Sequence, residues 1–128
     1  MKNNFYLNCS LQNVYIKPSN DSGVSSQILY GERFLIISKN KKWVKIKTSY
    51  DNYTGFIKND KFIKNFKPTH KIFKLKSQVF KKLKNKLIPL NKFIYFASRI
   101  MLKKQDTNFI EFDKNKWIKK KDVKRISH

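Results

Sequence analysis

Short runs of alternating apolar and polar positions dominate the first half of the chain. "NVYIK" (13–17) stops at Pro18, and "SNDSG" (19–23) is turn material. "RFLIIS" (33–38) and "WVKIKT" (43–48) are rich in β-branched and aromatic residues, and Lys39-Asn40-Lys41-Lys42 between them suits a four-residue hairpin loop. In the second run Val44 and Ile46 alternate with Lys45 and Lys47, the period of a strand with one dry and one wet face. "YTGFI" (53–57) predicts a third strand, and "KNDKF" (58–62) a short turn of helix returning Phe62 to the core.

The same pattern returns 66 residues later. "ILYGERFLIISKNKKWVKI" (28–46) lies over "IYFASRIMLKKQDTNFIEF" (94–112), which sets Arg33 on Arg99, Gly31 on Ala97, Trp43 on Phe109, Val44 on Ile110 and Ile46 on Phe112. After a shorter loop, "GFIKNDKF" meets "KWIKKKDV". Repetition at this period predicts two tandem small all-β units, residues 1–66 and 67–128, with the boundary near Pro68. Residues 70–90 fit less simply. Ile72, Leu75, Val79, Leu83 and Leu87 recur at spacings of three and four among lysines, the mark of a basic amphipathic helix at a membrane surface or partner groove. The repeat favours a strand, "HKIFKL", followed by a long loop ending at Pro89, because the segment stands where "NVYIKPSNDSG" stands in the first copy.

Composition changes this picture in two ways. Hydrophobic residues make up 40% of the 128, with 15% aromatic, which is enough for two small cores and argues against disorder. The net charge of +22 raises a nucleic-acid reading, since Lys and Arg that neutralise phosphates dominate such affinity. Yet only Arg33, Arg99 and Arg125 are arginine, and the abundant Lys, Asn, Ile and Phe share A/T-rich codons. Sequence-specific binding is therefore disfavoured, because arginine is the better reader of phosphate and guanine. A lysine-rich nucleic-acid-binding barrel protein stays as the alternative function. The charge is uneven, net +7 over 1–66 and +15 over 67–128, so an anionic partner is expected on the second half. A single cysteine, Cys9, forms no internal disulfide, and no apolar run reaches the length of a signal peptide or a membrane span; a cytoplasmic location is the expectation.

The wording of residues 25–62 carries a resemblance. Gln27, Leu29, Gly31 and Glu32 form a "Q-x-L-x-G-E" turn; Trp43 and Val44 open a "W-V-x-V"-like strand; Asp51, Tyr53, Gly55, Phe56 and Ile57 form "D-x-Y-x-G-aromatic-Ile". This series resembles the bacterial SH3-like domain at the front of NlpC-type peptidoglycan peptidases, and "PTHK" (68–71) resembles the opening of the second such domain. The fold implied is two tandem small SH3-like barrels. In that family a papain-like cysteine peptidase domain follows and cleaves the γ-D-glutamyl–diamino-acid bond of cell-wall peptides. The resemblance implies a non-catalytic recognition and docking region that closes the substrate cleft. Its partners would be a murein peptide or peptidoglycan fragment and an NlpC-type catalytic domain, in cis or in trans.

By the same resemblance Glu32 would supply the carboxylate and Tyr53 the phenol that meet the free amino terminus of the peptide, with Asp51 in support. A structural reading competes: Glu32 a solvated turn residue, Tyr53 core, Asp51 a turn cap. Gly31 and Gly55 read as backbone devices, Trp43 and Trp117 as core or inter-domain packing, and Phe56 as one of a buried-looking pair with Ile57 in the closing strand. "NCSL" (8–11) superficially echoes the family's "D-C-S-G", but no helix pattern follows Cys9, and the histidines sit at 70 and 128. No complete Cys/His set is expected, nor a metal or cofactor.

Overall fold

A computed structural model describes residues 4–126. These divide into two compact units between Phe66 and Lys67. Both are built from antiparallel strands without an α-helix, the all-β class expected from the sequence.

Unit 1 contains β1 (Asn4–Tyr6), β2 (Leu11–Tyr15), β3 (Val24–Leu29), β4 (Arg33–Lys39), β5 (Trp43–Thr48) and β6 (Thr54–Lys58), in sheet order β1-β4-β5-β6-β2-β3. The sheet curls back on itself. Leu7 donates its N–H to the Glu32 carbonyl at 3.1 Å and accepts from the Gly31 N–H at 2.9 Å, while Tyr6 bridges Ile63. Leu7, Val14, Ile28, Phe34, Val44, Ile46 and Ile57 fill the interior at 0% exposure. Each such side chain withdrawn from water contributes about 1.5–3 kcal/mol before the entropic cost of ordering it. Gly55 occurs where β6 crosses β2. A Cβ there would run into Val14 Cγ1 and lie 3.0 Å from the Tyr15 carbonyl, so only glycine lets the strands approach.

Unit 2 contains β7 (His70–Ile72), β8 (Lys76–Leu83), β9 (Lys86–Tyr95), β10 (Arg99–Ile100), β11 (Lys104–Gln105), β12 (Phe109–Asp113), β13 (Lys116–Lys119) and β14 (Val123–Arg125), with one 3-10 turn at Lys120–Asp122. Its pairings are β11-β12-β13-β8-β9 and β10-β7-β14. Strand for strand this is the wiring of unit 1, with β4 split into β10 and β11 and the Tyr6–Ile63 bridge widened into β7–β14. The seven interior positions recur as Ile72, Val79, Ile94, Ile100, Ile110, Phe112 and Ile118, all at most 3% exposed. The tandem small-barrel architecture read from the repeat is the observed one.

Residues 70–90 are not an amphipathic helix; the strand read at "HKIFKL" is present as β7, but paired strands stand where the long loop was expected. β8 and β9 form a long hairpin around Lys84 (φ 48°) and Asn85 (φ 65°). The register shifts between Gln78 and Phe80, so a bulge occurs at Val79, and the two N–H groups of the Gln78 amide stitch it, shared among the Leu90, Lys92 and Val79 carbonyls. The apparent helical stripe dissolves: Ile72 and Val79 are buried, whereas Leu75 and Leu83 are 84% and 53% exposed. Three further features differ from the sequence reading. β1 and β3 were not marked by alternation, and residues 58–62 make no helical turn; that turn exists only in unit 2, at Lys120–Asp122. Phe62 nevertheless packs on the unit 1 core, edge-on to Phe34 at 5.0 Å.

Candidate functional site

Two turns meet at one end of unit 1. The first, Leu29 to Glu32, joins β3 to β4. Glu32 donates its N–H to the Leu29 carbonyl at 3.0 Å, and Gly31 takes a φ of 78° at the third position, as in a type II turn. The Glu32 side chain folds back, and its Oε1 accepts the Leu29 N–H at 3.0 Å.

The second turn joins β5 to β6. Thr48 donates its N–H to the Tyr53 carbonyl at 2.8 Å, the Tyr53 N–H donates to Thr48 Oγ1 at 3.0 Å, and Asn52 at φ 55° turns the chain. The Thr48 hydroxyl donates to the Asp51 carboxylate. Tyr53 is half-buried and packs against the unit 1 core.

Antiparallel pairing of β4 and β5 sets Phe34 opposite Thr48, and the Ser49 N–H donates to the Arg33 carbonyl at 3.1 Å. Glu32, Asp51 and Tyr53 therefore share one end of the unit. Two of the four acidic residues of 1–66 stand there, an acidic spot in a basic chain. Both carboxylates are also used structurally: Glu32 caps a turn and Asp51 holds Thr48. Thr48, only 6% exposed, is the positioning residue that sequence reading missed; the Thr48–Asp51 spacing, a hydroxyl three residues before a carboxylate in a turn, was its signal.

Trp43 and Phe56 are half-buried on the outer sheet face of unit 1, whereas Trp117, 6% exposed, is among the buried core side chains of unit 2. The buried face of β5 is Val44, Ile46 and Thr48, so Trp43 belongs to the outer face, edge-on to Tyr15 at 5.5 Å. Phe56 lies opposite both Tyr15 and Lys45, and the Lys45 ammonium is 5.9 Å from its ring centre. Unit 2 repeats the group: Phe80 and Phe109 meet edge-on at 5.4 Å, Trp117 lies opposite Phe80, and Lys82 sits 4.2 Å over the indole. Trp117 apart, these rings cover the outer sheet face under lysine stems.

Cys9 is half-buried, and burial pushes its thiol pKa above the ordinary value, the reverse of what a nucleophilic thiolate needs. His70 belongs to β7 of unit 2, whereas Cys9 belongs to unit 1; His128 lies outside the described residues. Among the described residues no three of His, Cys, Asp and Glu gather as metal ligands, and no helix is long and apolar enough to cross a membrane. An open depression of about 470 Å³ occurs in unit 2, lined by Thr107, Asn108, Phe109 and Lys119 to Lys121; it involves none of the three unit 1 residues.

Residues 14–62 match the family model described as bacterial dipeptidyl-peptidase Sh3 domain. The chain also superposes on a crystal structure of an NlpC/P60 family protein from Bacillus cereus, with a TM-score of 0.71 at 14% identity, over 96% of this chain and 56% of that one. The chain thus spans little more than half the length of that relative. No curated protein sequence matches. The resemblance read from the Gln27-to-Ile57 motif series is upheld for unit 1 by sequence, and the fold is shared across both units.

Proposed function

We propose that this chain is the non-catalytic recognition and docking region of an NlpC-type cell-wall peptidase, with residues 1–66 and 67–128 as its two SH3-like domains. Unit 1 would close one end of a substrate cleft on a catalytic domain held in cis or in trans. Its ligand would be the free amino terminus of a murein peptide. The observation that carries the reading is the pairing of two turns that sets Glu32, Asp51 and Tyr53 at one end of a unit matching the peptidase Sh3 family. The chemistry fits. A carboxylate already fixed by a backbone donor has little left to lose in entropy when it meets an ammonium, and a phenol held by core packing adds a rigid second contact.

The test follows from the Glu32 geometry. Glu32→Gln keeps an Oε1 acceptor for the Leu29 N–H and removes the charge. In an NMR titration, murein tripeptide with a free amino terminus is expected to shift resonances of Glu32, Thr48 and Tyr53, and the N-acetylated tripeptide is expected not to. Glu32→Gln should cost at least about tenfold in affinity, the loss of one charge-assisted contact of roughly 1.5–3 kcal/mol, with stability changed by less than about 0.5 kcal/mol. Equal binding of free and acetylated peptide would defeat the proposal.

A further inference from the structure

The β3–β4 turn of unit 1 and the β9–β10 turn of unit 2 are equivalent in backbone, yet one is covered and the other open. In unit 1 Tyr30 is 2% exposed, closed over by Phe66, which also packs on Tyr6 at 5.0 Å. In unit 2 the matching residue is Phe96, 52% exposed, and Lys71 stands where unit 1 has Tyr6. Phe96 donates its N–H to the Leu75 carbonyl at 3.0 Å, and Tyr95 pairs with Lys76. Phe73, two residues before Leu75, is 44% exposed and lies 5.0 Å under the Lys124 ammonium. Four large apolar side chains, Phe73, Leu75 and Phe96 on neighbouring loops and Tyr95 at the end of β9, are thus exposed.

Cations border them. Lys71, Lys74, Lys76 and Lys124 are exposed, and the Phe73 N–H bond to the Asp122 carbonyl brings up the turn bearing Lys120 and Lys121. The single carboxylate of this segment, Asp122, is 3% exposed and bound to Ser77 Oγ at 2.7 Å and to Lys74 at 3.8 Å. With only Lys74 paired to a carboxylate, the patch presents apolar tips within a rim of net positive charge.

We propose that this end of unit 2 docks on an anionic lipid bilayer, with Leu75 and Phe96 entering the interface and the lysines at the headgroups. A polyanion alone gains nothing from Leu75, whose 84% exposed side chain has neither a π face nor a hydrogen-bonding group. A second copy is opposed by the net +15 of residues 67–128. An anionic bilayer accepts both halves of the pattern: aliphatic and aromatic tips partition into the interface, and lysine stems reach back to phosphate.

Sedimentation of the full chain with vesicles tests this. The wild type is expected to pellet with phosphatidylcholine–phosphatidylglycerol vesicles and to ignore phosphatidylcholine alone. Leu75→Ser with Phe96→Ser, both at exposed sites and checked for fold by NMR, should cut partitioning by about tenfold or more, as expected for losing the burial of two large apolar groups. Lys71→Gln with Lys74→Gln should weaken binding more than Lys41→Gln with Lys42→Gln, which removes the same charge from unit 1. No binding by the wild type, or equal binding by the Leu75/Phe96 variant, overturns the proposal. So does binding to duplex DNA or polyglutamate that needs the same two side chains.

Discussion

Ala97 carries a cost that its counterpart Gly31 does not. Both occupy the third position of the equivalent turns, at φ 75° and 78°, and both donate to a carbonyl across the unit, Ile72 and Leu7 respectively. An L residue there is strained by about 1–2 kcal/mol, of which roughly 0.4–1 kcal/mol is returned because alanine restricts the unfolded chain more than glycine does. Ala97→Gly is therefore expected to stabilise unit 2 by about 0.5–1 kcal/mol, read as a rise in its denaturation midpoint at constant m. A fall would show that the strain is absent. The alignment of Gly31 with Ala97 was visible in the sequence, because the Arg33–Arg99 and Val44–Ile110 matches lock the register around it. The double use of Glu32, as turn cap and as candidate ligand, was not visible, since side-chain-to-backbone bonds leave no periodic trace.

At the scale of elements, β7 is the centre of a three-stranded sheet that holds a histidine under the influence of nearby cations. His70 faces Ile100 on one side and Arg125 on the other, and Thr69 Oγ1 lies 2.8 Å from its Nδ1. Burial first, then the charges of Arg125 and Lys120, hold its imidazole pKa below the ordinary value. The unfolded chain thus takes up a proton that the folded chain refuses. Stability is at its full value above the unfolded pKa of about 6.5 and declines as pH falls from there through the lower folded pKa. Melting temperatures of wild type and His70→Asn measured from neutral pH downward should diverge in this window, the wild type dropping more steeply; parallel curves would remove His70 as the cause. The β8–β9 hairpin shows why element type was misread here. Its turn, Lys84-Asn85, lacks the glycine that usually marks two successive positive-φ residues, and the bulge at Val79 breaks strict alternation. Lysines and leucines then fell by chance at helical spacing, whereas β4, β5 and β6 kept their period of two and were legible.

For the whole molecule the governing quantity is a net charge of +22, set against the ion pairs found among the described residues. Those observed, Lys74–Asp122, Lys82–Asp106 and Lys116–Asp113, span 3.4–3.8 Å and involve at least one partly exposed group. Such pairs contribute little, so repulsion among lysines is the larger electrostatic effect on folding. Raising sodium chloride from about 10 mM to about 150 mM shortens the screening length from about 30 Å to about 8 Å. The melting temperature should rise over that interval; a decline would mean that attraction outweighs repulsion.

Trp43 and Trp117 have one further use. The two indoles of the chain are divided between the units, and their environments differ: one half-buried and edge-on to Tyr15, the other 6% exposed, hydrogen-bonded to Asn115 Oδ1 at 3.2 Å and capped by an ammonium. Replacing either with phenylalanine leaves a single indole, so that its emission, excited on the red side of tyrosine absorption, can report separately on the melting of each half without an added dye.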